Sequence, residues 1–383
     1  MSLLVAAVVG IALGVLFQKG RFCFVHAFRD FFAFKDDRVT KGVFVAVVLT
    51  MLFWSVAFEL GYHQGLWTPA WGLTGVVGGF VFGVGMTYAG GCASGTLYRA
   101  GQGYLHFWLV LVSMGAGYAL FTVLYPTLES TYFEPLTFGE GASLFESTSL
   151  PAPVVALGFA AAFVVVYATS LGRAGTARPK AEAAQATLAP SATAEGVRGL
   201  VRGTRDYFAG FREIDGWVEA SKRPWDPRTA ALGITAVAVL WFTQVSIVGV
   251  TGPESRWTAY LLQTAGFDSG SYEYWGSILF AGEGVSVTVD MVMIGFVIVG
   301  AFLAAYWSGD FRLRVPRARR LPNAVGGGFL MGVGSRLAPG CNIGNIYSGL
   351  AELSLHSFLA AAGIIAGVYV MTHWLYRDVG CAI

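Results

Sequence analysis

Two cysteines occupy matching places in a repeated stretch. Residues 78–98 read GGFVFGVGMTYAGGCASGTLY, and residues 327–347 read GGFLMGVGSRLAPGCNIGNIY. They align without a gap at an offset of 249, with 11 of 21 positions identical. Each is an apolar, Gly-rich run ending in Gly-Cys-x-x-Gly, so Cys92 and Cys341 fall just past matching interruptions. A helix does not pass comfortably through Gly90-Gly91 or Pro339-Gly340, and Pro339 also removes a donor. Each run is expected to break there and restart as a short helix, with Ser94 and Asn342 available as N-cap residues. A helix N-terminus carries free N–H groups and about half a positive charge. Two such ends make an anion site without many basic side chains. Gly91, Ser94, Gly340 and Asn342 therefore join Cys92 and Cys341 as candidate substrate-binding residues.

The thiols say which anion. A thiolate about 4 Å from an anion costs roughly 4 kcal/mol per unit charge product at an effective dielectric near 20. Occupancy by an anion favours the neutral S–H, a weak donor on a soft sulfur. That suits a sulfur-containing anion better than phosphate, for which Arg is the expected partner. Cys23 lies in GRFCF between Phe22 and Phe24, in an aromatic-rich connection able to fold back toward the other two. Cysteine also serves as a small buried hydrophobe, but two of three at equivalent breaks argue for more. Arg336, five residues before Cys341, sits inside an apolar run. Intramembrane arginine is costly and usually functional, here attracting an anion or pairing with an acid or carbonyl. Arg99 and Glu283 are weighed the same way. His26 follows Cys23 by three, but no second pair accompanies it and no metal site or cofactor is expected. His106, His356 and His373 read as helix-capping or packing residues. Cys381 has no counterpart and no expected role. The glycine pairs 78–79 and 327–328, with Gly83, Gly85, Gly332 and Gly334, read as allowing close helix packing.

The elements that must carry these residues are membrane helices. The 383 residues have a mean hydropathy of +0.60 and 13% charged side chains, against about 25% in a soluble domain. Apolar runs cover 2–18, 42–60, 71–90, 104–124, 151–171, 229–250, 290–307, 323–339 and 357–376. Some only just cross a hydrocarbon core of about 30 Å. The first has no basic residue ahead of it and reads as a span, not a cleaved signal. The expectation is an all-α polytopic membrane protein of about nine transmembrane helices.

Lys and Arg set its orientation. Segments 19–41, 172–228 and 308–322 hold 21 of the 25, while 61–70 and 125–150 hold none. That places the N-terminus outside and the C-terminus in the cytoplasm. The two repeated segments then run in opposite directions. The division is a first membrane repeat 1–124, a periplasmic loop 125–150, a linking helix 151–171, a cytoplasmic hydrophilic insert 172–228, a second repeat 229–376 and a cytoplasmic tail 377–383. Inverted repeats with interrupted helices meeting near the midplane are a transporter device.

The motifs GRFCF, GGCASG and PGCNIG together resemble the YeeE/YedE family of bacterial inner-membrane proteins. The resemblance covers nearly all the membrane part. It implies uptake of thiosulfate, with relatives assigned to other sulfur or selenium compounds, through a path lined by Cys23, Cys92 and Cys341. It also implies, for some members, a small cytoplasmic TusA-like sulfurtransferase as partner. The expected activity is thus a transporter or channel for a sulfur anion, embedded in lipid, not an enzyme and with no nucleic-acid partner. The alternatives are a membrane-embedded sulfurtransferase carrying sulfane sulfur as a cysteine persulfide, uptake of a selenium compound, or a sensor signalling through 172–228. No paired intramembrane carboxylates stand out, which favours a channel-like path over a proton relay.

Overall fold

The structure, a computed structural model, describes residues 2–63, 65–174, 221–245 and 247–377. Most of the hydrophilic insert, 175–220, lies outside the described residues, as does Cys381. Among the described residues the regular structure is helical apart from one short ribbon pairing Trp71–Gly72 with Thr137–Gly139. The protein is an all-α polytopic membrane protein. A helix lies on each expected apolar run: α1 (Leu3–Gly20), α3 (Arg38–Glu59), α4 (Leu73–Ala89), α6 (Leu105–Leu128), α9 (Ala152–Ala174), α10 (Pro227–Gln244), which stops short of the expected end at 250, α12 (Val289–Trp307), α13 (Leu321–Leu337) and α14 (Leu355–Tyr376). Six stretches are long and apolar enough to cross a membrane; those at α9, α10 and α13 are shorter or less apolar. Leu4, Val112 and Val166 are among many large apolar side chains left exposed, a surface that fits lipid and not water.

Shorter helices fill the connections. α2 (Phe24–Phe34) and α5 (Ala93–Gly101) follow Cys23 and Cys92, and α7 (Glu134–Leu136) and α8 (Leu144–Ser147) are single turns. Residues 251–289 read as loop in sequence, yet α11 (Thr251–Thr264) opens that segment and a π-helical turn over Tyr274–Leu279 follows. The polarity of α11 hides it, because its polar groups bond inside the protein and not to water. Glu283 falls on an exposed turn before α12, away from the membrane core.

The two repeated segments pack flank to flank. A Cβ on Gly78 would lie 2.2 Å from the Ala338 nitrogen, and one on Gly334 2.5 Å from that of Phe82. One on Gly85 would lie 2.7 Å from the Met331 nitrogen, and one on Gly327 2.4 Å from that of Ala89. Partner numbers fall as α4 advances, so α4 and α13 run antiparallel. Adding or subtracting 249 turns each of these contacts into another of the set. Glycine permits the backbones to touch, the device of close helix pairs in lipid. The same exchange recurs further out: α1 packs on α12 and α3 on α10, while α4 packs on α14 and α6 on α13.

Candidate functional site

The two breaks differ by one residue for a backbone reason. α4 ends at Ala89, and Gly90 takes the left-handed conformation at φ 75, its N–H bonding the carbonyls of Met86 and Thr87. Proline cannot adopt positive φ and forces its predecessor to be extended. In the second half Ala338 is accordingly extended, at φ −115 and ψ 102, and the left-handed turn moves to Gly340 at φ 99. A helix end leaves carbonyls without partners. His106 Nε2 bonds the Ala89 carbonyl at 2.9 Å, and His356 Nε2 bonds that of Pro339 at 3.3 Å. α4 and α13 meet, but their breaks are staggered. Ala89 lies beside Gly327 and Ala338 beside Gly78, which at 1.5 Å per residue separates the breaks by about 16 Å along the helix axis.

Cys23, Cys92 and Cys341 are all fully buried. The sulfurs of Cys23 and Cys92 are 3.5 Å apart. Cys92 itself, and not Ser94, is the N-cap of α5: its sulfur accepts from the Gly95 N–H at 3.3 Å. The Ser94 hydroxyl lies 3.4 Å from the same sulfur. Gly95 is obligatory here, since a Cβ would come within 2.7 Å of the Cys23 sulfur and 3.2 Å of that of Cys92. A Cβ on Gly91 would lie 2.5 Å from the Phe107 ring. Asn342 makes no side-chain cap either. Both polar atoms of its amide are buried without a hydrogen-bond partner among the described residues, next to Cys341.

Two cavities open at the breaks. One, about 930 Å³, is lined by Gly90 and by Arg21, His26, Arg99, Arg314 and Arg317. Arg99 donates to the Gly90 carbonyl at 2.9 Å, lies 2.6 Å from His26 Nε2 and stacks on Phe107. The other, about 700 Å³, is lined by Pro339, Gly340, Cys341, Arg336, Arg256 and Trp67. Arg336 donates to the hydroxyls of Tyr274 at 3.1 Å and Thr251 at 2.9 Å, so its partners are neither of the two classes expected from sequence. A dry apolar knot that includes Phe22, Phe24, Val248, Ile343 and Tyr347 encloses a void too small for water. Phe22 and Phe24 flank Cys23, and Ile343 follows Cys341 by two. Cys341 thus faces one cavity, while Cys23 and Cys92 line neither.

Trp67 lies against the second break. A Cβ on Gly340 would lie 2.7 Å from its ring, and the Trp67 N–H donates to Glu352 at 2.9 Å. Burial, with the Glu146 carboxylate adding to it, pushes the Glu352 carboxyl up to about 8 against the pull of that N–H. Among the described residues no group of three or more His, Cys, Asp and Glu could hold a metal. Sequence reasoning missed Glu254, buried on α11 beside Arg336, because α11 itself was not recognised.

Broken helices that open onto two arginine-bearing cavities, inside a lipid-facing helical shell, define a membrane transport protein. The chain belongs to the sulphur transport family, whose pattern it matches over residues 19–370. It is 29% identical over 391 residues to the thiosulfate transporter TsuA of Spirochaeta thermophila, covering 96% of this chain and 98% of that one. It is also 29% identical over 387 residues to TsuA of Escherichia coli, covering 96% and 93%. A 149-residue stretch is 34% identical to the probable transporter YedE of Salmonella typhimurium, covering 37% and 36%.

Proposed function

We propose that the protein moves thiosulfate or a closely related sulfur-containing anion into the cell, across the bacterial inner membrane, through the cysteine-lined region between the two cavities. The observation that carries this reading is a break and an arginine at each cavity, with Cys341 lining one cavity and the Cys23–Cys92 pair just past the break that lines the other. An anion stripped of water in an apolar medium costs tens of kcal/mol. Guanidinium groups attract it to each mouth, and amides and thiols take over within. Gly91, Ser94, Gly340 and Asn342 shape that passage; the partnerless amide of Asn342 suits an anion arriving at Cys341. The 930 Å³ cavity is cytoplasmic and the 700 Å³ cavity periplasmic, with the N-terminus outside and the C-terminus inside. The antiparallel, exchange-related packing of α4 and α13 supports two inverted repeats, 1–124 and 229–376, joined by the helix at 151–171. The arginines around the cytoplasmic mouth suit an acidic TusA-like sulfur carrier.

Uptake of labelled thiosulfate into proteoliposomes, and growth with thiosulfate as sole sulfur source, test the reading. Transport is expected to fall at least tenfold in Cys92→Ala and in Cys341→Ala. Unchanged uptake in both would remove the thiols from the path.

A further inference from the structure

Behind Arg336 stands a carboxylate that passage through the cavities leaves unused. Glu254 lies on the first turn of α11, three residues after Thr251, whose hydroxyl receives Arg336 Nη2 at 2.9 Å. Glu254 is 8% exposed and Arg336 4%. Tyr118 Oη donates to Glu254 Oε2 at 2.8 Å, and the Arg336 guanidinium sits 5.5 Å over the same Tyr118 ring. Glu254 Oε1 and Arg336 Nε are both buried without a hydrogen-bond partner among the described residues. The two charges feel each other, yet the hydrogen bonds of Arg336 go to hydroxyls. Arg336 also lines the cavity that holds Cys341, whereas Glu254 faces an apolar groove between α6, α11 and α12.

One guanidinium therefore stands between two claimants. Without a bound anion, the carboxylate that interacts electrostatically with it is Glu254, with no ion pair between the two. When an anion oxygen takes the free N–H of Arg336, the carboxylate becomes a like charge held in a medium that screens poorly.

We propose that Glu254 takes up one proton whenever a sulfur anion binds at Arg336, so that proton and anion enter together. This rests on the transport reading above and supplies its coupling ion. The proton comes from hydronium or a buffer acid in the surrounding water: its O–H bond breaks as the carboxyl O–H bond forms, and water or the buffer base is left behind. The other charged or titratable groups around Glu254 are accounted for. Tyr118 comes from α6, Tyr274 from the π-helical turn, and Arg336 from α13 with Cys341 beyond it. On α11 itself, Arg256 is paired with Asp290 of α12. Phenols and guanidinium groups do not ordinarily titrate between pH 5 and 8.

Binding and protonation linked in this way must assist each other equally. The test is calorimetric titration of the purified full-length protein with thiosulfate, in phosphate and in Tris buffers, between pH 5.5 and 8.5. The buffer dependence of the heat counts protons. About one proton per anion is expected over part of that range, with affinity weakening about tenfold per pH unit on its alkaline side. Glu254→Gln is expected to take up none and to bind with an affinity independent of pH. Wild-type binding without proton uptake at any pH, or the same uptake in Glu254→Gln, would overturn the proposal. The wild-type heats decide the matter even where the variant does not fold. Absence of both thiosulfate binding and uptake would instead defeat the transport reading itself.

Discussion

At the scale of single residues, the thiol pair depends on what is missing between its members. Gly95 leaves room for two sulfurs 3.5 Å apart, and its N–H holds one of them. Gly95→Ala would drive a methyl into both thiols. Overpacking of this kind costs about 1–3 kcal/mol, equivalent to about five- to 150-fold in binding. Thiosulfate uptake is expected to fall by that order while the protein still reaches the membrane, which uptake and immunoblotting of the same vesicles would show. Glu352 makes a different prediction. Its carboxyl titrates near 8 when folded and near 4.3 when unfolded. The folded state therefore binds the extra proton between those values, and stability falls as pH rises through that window, by up to about 1.4 kcal/mol per pH unit. Below about 4.3 the group contributes no slope, and above about 8 the loss is complete. Glu352→Gln keeps an acceptor for the Trp67 N–H but cannot ionise. The melting temperature of the wild type relative to the variant, measured from pH 4.5 to 8.5, should drop with rising pH; a constant difference would contradict the assignment.

At the scale of helices, the α4–α13 contact is made of backbone against backbone. A methyl on Gly334 would meet the nitrogen and Cα of Phe82 at 2.5 and 2.9 Å, atoms that cannot turn aside. Gly334→Ala is expected to destabilise the detergent-solubilised protein by at least about 1–3 kcal/mol. Gly158→Ala on α9, with nothing within 4 Å of the added carbon, should leave it unchanged or gain about 0.4–1 kcal/mol. Thermal unfolding of the two variants side by side separates close packing from a general intolerance of substitution. The repeat, the breaks and every long apolar helix were legible because apolar runs and Gly-Pro interruptions are local signals. α11 was not, since a helix whose polar side chains bond inward carries neither an apolar run nor a turn signal. The approach of Cys23 to Cys92 was readable only as a direction of folding, because two positions separated by 69 in sequence are joined by tertiary contacts that no spacing encodes. The N-cap was assigned to Ser94 by residue type, whereas the backbone turn at Gly90 sets the start of α5 at Cys92.

At the scale of the whole molecule, two cavities open at the two breaks, and the void walled by Phe22, Phe24, Ile343 and Tyr347 has no room for water; on the proposed reading that apolar knot is the barrier. Breaks about 16 Å apart along the axis cannot pass an anion directly from one helix end to the other. Next to the first break the chain places the thiols of Cys92 and Cys23, and Cys23 lies between the rings of Phe22 and Phe24 in the connection from α1 to α2. Passage requires that segment to move or its rings to turn, since an unsolvated anion in an apolar gap would cost tens of kcal/mol. Phe24 is the ring to trim: it is fully buried, stacks edge-on to Phe22 at 5.8 Å, and shares the void with Ile343 and Tyr347. Phe24→Ala removes the largest part of one wall and leaves space for water beside Cys23. If the knot is the barrier, this variant should admit anions less selectively. The wild type is expected to exclude sulfate in a competition assay, whereas sulfate is expected to enter Phe24→Ala proteoliposomes at a rate within about tenfold of thiosulfate. The void so created costs about 3–5 kcal/mol in a well-packed core, so the assay belongs at low temperature with folded protein verified in each preparation. Sulfate exclusion as strict as in the wild type would mean that selection occurs at the thiols or the arginines and that the aromatic knot is only scaffold.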